Sequence, residues 1–192
     1  IINYFDEQRF GKSNIKIGKY LLQGKFKEIC KLLNLDYRNP LESLKKLNKK
    51  ELRFYLYSYQ SYIFNKAVSK YLKSKYKNYR KVKYSLGELI FVNKKEKLKF
   101  PLVNFDTKFS KKEKVFLKIL KEEGIKLEQF LIRELPWLID ETLYRDVFAD
   151  VRNFKTLSYE KDELNIEKFK QVINFILPKG SYATILIKQM FF

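Results

Sequence analysis

The 192 residues are 45% hydrophobic and 33% charged, the balance of a chain that buries a core in one or two domains and not of a disordered one. Lys and Arg number 41 against 22 Asp and Glu, and the net charge of +19 points to a polyanionic partner, nucleic acid first and an anionic membrane surface second. One Cys and no His exclude disulfides, His/Cys zinc sites, Ser-His-Asp triads and histidine acid–base chemistry within these residues, leaving carboxylates, Lys, Tyr and polar groups.

In chain order, Ile17 to Leu33 carries Tyr20, Leu21, Phe26, Ile29, Leu32 and Leu33 at helical spacing interrupted at Gly24, which predicts two short helices or one broken one, with Cys30 a small core residue. Asn39-Pro40 ahead of Leu41, Leu44 and Leu47 predicts a short helix. The strongest helical pattern runs from Leu52 to Leu72, through Tyr55, Leu56, Tyr59, Ile63 and Ala67. Ser74 to Lys83, rich in Lys, Arg and Tyr, reads as solvated surface, and Leu89 to Val92 as a short strand. Ser110-Lys111-Lys112-Glu113 has capping-box spacing and predicts a helix over 111–123 stopped at Gly124. A second helix is expected over 125–135, ending before Pro136. Val147, Ala149 and Val151 alternate, as do Val172, Phe175 and Ile176 less regularly, so the last third reads as strand-rich and the whole as α+β. No apolar run approaches the ~18 residues of a membrane span. No secretory signal opens the sequence, and a cytoplasmic location is expected. The first residue, Ile1, fits a fragment or a processed product.

Asn3-Tyr4-Phe5-Asp6-Glu7-Gln8-Arg9-Phe10-Gly11 gathers amides, aromatics, a guanidinium and a glycine without helical or strand periodicity. An extruded base needs a flat face and amide or guanidinium donors, and these residues could supply both; a purely structural turn is the equal alternative. Near the other end, Leu177-Pro178-Lys179-Gly180-Ser181-Tyr182-Ala183-Thr184 places Ser181 where it could cap a helix whose amides face an anion, with Lys179 adding charge. The alternative is a helix start packed against the first motif.

The first string resembles the Asn-Tyr-Phe-x-x-Gln-Arg-Phe-Gly motif of the TruD and eukaryotic Pus-seven family of pseudouridine synthases, and Leu177 to Thr184 resembles its C-terminal block. Tyr59 to Asn65 and Phe105-Asp106-Thr107 are similar to further family blocks, in the same order. The resemblance implies a catalytic-domain segment over 1–26, a TRUD insertion domain over 27–155 and a return to the catalytic domain over 156–192. It implies isomerisation of uridine to pseudouridine in tRNA, at position thirteen of the D arm, without a metal or organic cofactor. Asn3 and Phe5 would form the active-site wall, and Gln8, Arg9, Lys179, Gly180 and Ser181 would meet RNA, with Arg53 and Asn65 as RNA or interdomain contacts. Tyr4 and Phe10 are expected in the core, and Asp6 is not expected to be catalytic. Lys73, Lys75, Lys77, Arg80, Lys81 and Lys83 are expected to form a diffuse electrostatic footprint.

The family's catalytic aspartate lies in a Gly-x-Lys-Asp motif upstream of the Asn-Tyr-Phe block, and these residues do not contain it. The pair Lys161-Asp162 lacks the preceding glycine and is not a substitute. A missing N-terminal segment or a separate chain is therefore expected to bring the nucleophile, and the chain alone is expected to be inactive. The alternative is a noncatalytic RNA-binding protein derived from the same fold.

Overall fold

The computed structural model describes residues 1–191; Phe192, the last residue of the segment expected over 156–192, lies outside them. One helix organises the chain. α5 (Lys49–Lys75) is capped by the Asn48 side chain and carries thirteen buried residues, among them Leu56, Tyr59, Ile63, Phe64 and Val68. Polar Ser58, Gln60, Ser61 and Asn65 are buried on the same helix, because neighbours envelop it on more than one side.

α1 (Glu7–Phe10) is a single turn, and α2 (Asn14–Leu22) and α3 (Phe26–Leu32) are the two short helices predicted on either side of Gly24. α2 crosses α5 at Gly18, where an added Cβ would sit 2.3 Å from the Tyr55 carbonyl and 2.8 Å from Tyr59 Cβ, so only glycine permits this approach. α4 (Pro40–Lys45) follows the expected Asn39-Pro40 start, and Cys30 is buried against it. α6 (Lys114–Glu123) is entered through a 3-10 turn, Lys111–Glu113; Ser110 N donates to Glu113 Oε2 at 2.7 Å, and Gly124 ends the helix as expected.

Residues 74–83 are solvated surface as expected, with Val82 alone buried, but they are ordered: α5 runs on to Lys75, and β1 (Arg80–Tyr84) pairs antiparallel with β2 (Gly87–Phe91). The inward signal of β1 is one residue among Lys, Arg and Tyr. The helix expected over 125–135 is not found. The stretch holds a 3-10 turn at Leu127–Phe130, and irregular backbone sends Ile125, Phe130, Ile132 and Leu135 into the core at spacings that no helix face repeats.

β3 (Lys99–Leu102) pairs antiparallel with β4 (Leu143–Asp146), and β5 (Arg152–Lys161) with β6 (Phe169–Ile176). The last third is thus strand-rich, as the pattern suggested. The alternation read at 147–151 is not a regular strand, however: Val147, Phe148 and Ala149 are buried in succession, and Phe148 bridges to Ile2. α7 (Ala183–Phe191) closes the described chain and buries Ile185 and Leu186. A continuous buried cluster runs from Ile2 through α5 to Ile185.

Candidate nucleic-acid interface

The opening loop and the Lys179-Gly180-Ser181 turn meet at one place. Asn3, only 6% exposed, is the junction: its Nδ2 donates to the Asp146 carbonyl (2.9 Å), and its Oδ1 accepts from Ser181 Oγ (2.9 Å) and Arg145 Nη2 (2.7 Å). Its backbone N donates to Val147 O at 2.8 Å, which fixes the loop beside β4. The Ser181 hydroxyl donates to Asn3, so the turn packs on the first motif as the alternative had it, and α7 begins at Ala183, which leaves the capping position to Tyr182 and not to Ser181. Gly180 has φ +84, a left-handed backbone that suits glycine, and its carbonyl accepts from Arg145 Nη2 at 2.9 Å.

Phe5 sits beneath this junction. Its ring meets Phe64 edge-on at 5.6 Å and Tyr182 at 6.1 Å, and the Arg145 guanidinium covers a face at 4.1 Å. Asn65, fully buried, clamps the Phe5 backbone from both sides: Phe5 N donates to Oδ1 (3.0 Å) and Nδ2 donates to Phe5 O (2.8 Å). Its amide has no surface to offer a nucleic acid, and its work is to fix the ring's height.

Asp6 caps α1 by accepting from Glu7 N, and also accepts from Lys188 Nζ at 2.5 Å, tying the first motif to α7. Burial pushes its carboxyl up, but hydrogen bonds from Lys188, Thr184 and the Glu7 amide prevail and hold it below its ordinary value. Tyr4 and Phe10 are core residues, as expected; the Tyr4 hydroxyl donates to Ile90 O at 2.9 Å, and burial pushes it up.

Arg9 lies over the Phe54 ring at 4.8 Å and donates to Ser61 Oγ at 3.3 Å, without a carboxylate partner among the described residues. Burial pulls its guanidinium down, against the pull of Tyr182 and Tyr57. Gln8 and Lys179 are exposed. Arg53 points elsewhere, donating to Trp137 O and lying 3.4 Å from Asp140. The expected footprint lysines Lys73, Lys77, Lys81 and Lys83 are exposed, whereas Lys75 is paired with Glu96. Gln60 and the turn at 104–107 bind inward: Gln60 Nε2 donates to Val103 O, and Asn104 N donates to Thr107 Oγ1.

Sequence reasoning missed Arg145 and Tyr182. Arg145 stands on β4 in a stretch without motif or clear period, so only the fold could reveal it. Burial pulls its guanidinium down to about 10, with nearby Arg9 adding to the effect. The site opens into a cleft of about 800 Å³. Its lining includes six cations, Lys95, Lys97, Lys99, Arg145, Arg152 and Lys179, against the carboxylates Glu96, Asp146 and Asp150. Each of those carboxylates already faces a lysine: Glu96 with Lys75, Asp150 with Lys95, and Asp146 with Lys99 at 3.9 Å. The cleft is therefore positive, suited to a phosphate backbone, and offers no unengaged carboxylate among its lining residues. Asp162 is engaged at the β5–β6 turn, where it accepts from Leu164 N and Asn165 N.

Known proteins resemble this chain over almost its whole length. The family model described as tRNA pseudouridine synthase D (TruD) matches residues 87–190, more than half of the chain. A Methanocaldococcus jannaschii protein named "Probable tRNA pseudouridine synthase D 2" is 30% identical over 98% of this chain and 59% of its own length. The "tRNA pseudouridine synthase D" of Aquifex aeolicus is 26% identical over 98% and 61%. A solved TruD structure from Methanosarcina mazei superposes with a TM-score of 0.74 over 97% of this chain and 60% of that one, and at 22% identity it speaks for the fold alone. The chain thus spans about three fifths of the length of these relatives. A family model covering residues 87–190, together with near-complete alignment to named relatives and a matching fold, places the chain in the TruD family of tRNA pseudouridine synthases.

Proposed function

We propose that the chain is the insertion domain and part of the catalytic domain of a tRNA pseudouridine synthase, which isomerises a uridine, expected at position thirteen of the D arm, to pseudouridine. The observation that carries this reading is the convergence of Asn3, Phe5, Arg145 and the Lys179-Gly180-Ser181 turn at one positive cleft. The catalytic domain then comprises 1–26 and 156–192, joined through the Asn3–Ser181 and Asp6–Lys188 contacts, with 27–155 inserted between them.

The reaction breaks the glycosidic bond, turns the freed uracil and rejoins it through carbon five. A detached base must be held while it turns, and that is work for a rigid wall. Phe5 is only 6% exposed, fixed by Asn65 below and covered on one face by Arg145, so the rigid wall offered to the cleft is the Phe5–Arg145 pair, with little reorganisation left to occur on binding. No metal or organic cofactor enters this scheme.

The nucleophilic aspartate is supplied by sequence outside these 192 residues, as a preceding segment or a separate chain. Hairpin β5–β6 supports this. It exposes Phe154, Leu157, Tyr159, Phe169, Val172 and Ile176, and a lone two-stranded hairpin is marginal in water, so further strands covering it would complete a sheet. Carbodiimide mapping of tRNA treated with the protein, with and without that additional sequence, tests the proposal. Pseudouridine is expected only when it is present; tRNA binding without modification in both cases would favour a noncatalytic RNA binder.

A further inference from the structure

Arg145 holds back part of its binding capacity. A guanidinium carries five N–H donors. Nε donates to Asn3 O (3.0 Å), and Nη2 donates to Asn3 Oδ1 (2.7 Å) and Gly180 O (2.9 Å), which uses three of them. With Phe5 against its face at 4.1 Å, the group is locked in plane and in height. The two N–H of Nη1 have no acceptor among the described residues, and Nη1 is not sealed from solvent. Among the described residues no carboxylate lies within ion-pair distance of Arg145; its chain neighbour Asp146 faces Lys99 instead.

We infer that Arg145 Nη1 is a built receptor for one phosphodiester oxygen of an RNA strand lying along the cleft, with the rest of the guanidinium serving to aim it. This rests on the RNA-modifying reading above and names the subsite within it. A half-buried cation has lost part of its hydration without gaining a counter-ion, so an incoming oxyanion recovers that cost. Peptide carboxylates would satisfy the same fork, but Lys97, Arg152 and Lys179 continue the positive lining on the cleft walls, as a repeating polyanion requires. Lysine could carry the charge but could not bridge Asn3 and Gly180 while presenting two coplanar donors.

The test is the salt dependence of binding to unfractionated tRNA between about 50 and about 200 mM KCl, for wild type, Arg145→Gln and Arg145→Lys. Loss of one phosphate contact is expected to reduce the slope of log K against log salt by about 0.7 to 0.9 in Arg145→Gln, and Arg145→Lys is expected to restore most of it. An unchanged slope in Arg145→Gln, even with weaker binding, overturns the assignment, because Arg145 would then act only through Asn3 and Gly180. Since these substitutions also remove internal bonds, nuclear magnetic resonance of the 15N-arginine-labelled wild-type chain gives a second reading. The Arg145 side-chain N–H signals, assigned by their loss in Arg145→Lys, are expected to shift when tRNA is added; signals that stay in place with tRNA bound overturn the inference. Failure of the wild type to bind tRNA would instead sink the RNA-modifying reading and this subsite with it.

Discussion

Asn3→Ala removes the junction on which the site is built, and its cost can be worked out from the bonds. The amide donates once to Asp146 O, accepts once from a neutral hydroxyl, Ser181, and accepts once from a charged donor, Arg145. Neutral bonds are worth about 1 kcal/mol each and the charged one about 2, for a total of about 4 kcal/mol. The cleft lets water reach part of the vacated space, which returns about 1 kcal/mol and leaves about 3. For a chain of this length that corresponds to a Tm lower by about 6 to 12 °C. Urea denaturation followed by far-UV circular dichroism measures it. Ser181→Ala, which removes only one of the three bonds, should cost about 1 kcal/mol, and the double variant should show about 1 kcal/mol of coupling. A cost below about 1 kcal/mol for Asn3→Ala, with additive behaviour in the pair, would refute the view of Asn3 as the element joining the two motifs.

Three further outcomes follow from the packing and charges. Gly18→Ala drives a methyl group into the Tyr55 carbonyl and Tyr59, and is expected to cost at least about 3 kcal/mol; a wild-type urea midpoint would contradict the close crossing of α2 and α5. Glu123 accepts from Lys19, Lys66 and Tyr62, and although burial pushes its carboxyl up, the two lysines bring it down to about 2. A folded-state value below the ordinary 4.5 means stability that is present above about pH 4.5 and lost as pH falls toward 2, worth about 3 kcal/mol. Glu123→Gln should therefore lose stability at neutral pH and show a flatter decline in acid than wild type, and parallel acid profiles would refute the assignment. Asp6→Asn keeps a cap for α1 but leaves Lys188 half-buried without its counter-ion, so a loss of about 3 kcal/mol is expected in thermal or urea melts, and one below about 1 would show that the clamp to α7 is idle.

Much of the helical frame was legible because it rests on local chemistry. Gly24 and Gly124 mark real helix ends, Asn39-Pro40 opens α4, and the Ser110 to Glu113 box leads into α6. What escaped depends on tertiary context. β1 shows one inward residue, Val82, against four polar or half-exposed neighbours, so its pairing with β2 has almost no signature in the chain. The stretch 125–135 has enough apolar residues for a helix but distributes them from irregular backbone, with Gln129 Nε2 donating to Leu22 O in place of a helix ladder. In the site, the motifs containing Asn3 and Ser181 could be seen and their packing together was one of two alternatives, but the bond that joins them spans 178 positions and has no local signature. Arg145 had no motif at all, and of the two contacts expected for Asn65, RNA or another part of the chain, its full burial on the Phe5 backbone leaves the second.

If these residues form one wall of a uridine pocket whose aspartate comes from other sequence, the two must act together. Pseudouridine formation on tRNA, read by carbodiimide and primer extension, tests it most directly when the 192-residue chain is compared with the same chain supplied with the proposed aspartate-bearing segment. No modification is expected from the chain alone, and pseudouridine in the D arm is expected when the segment is present. Modification by the chain alone, or none with the segment, would contradict it.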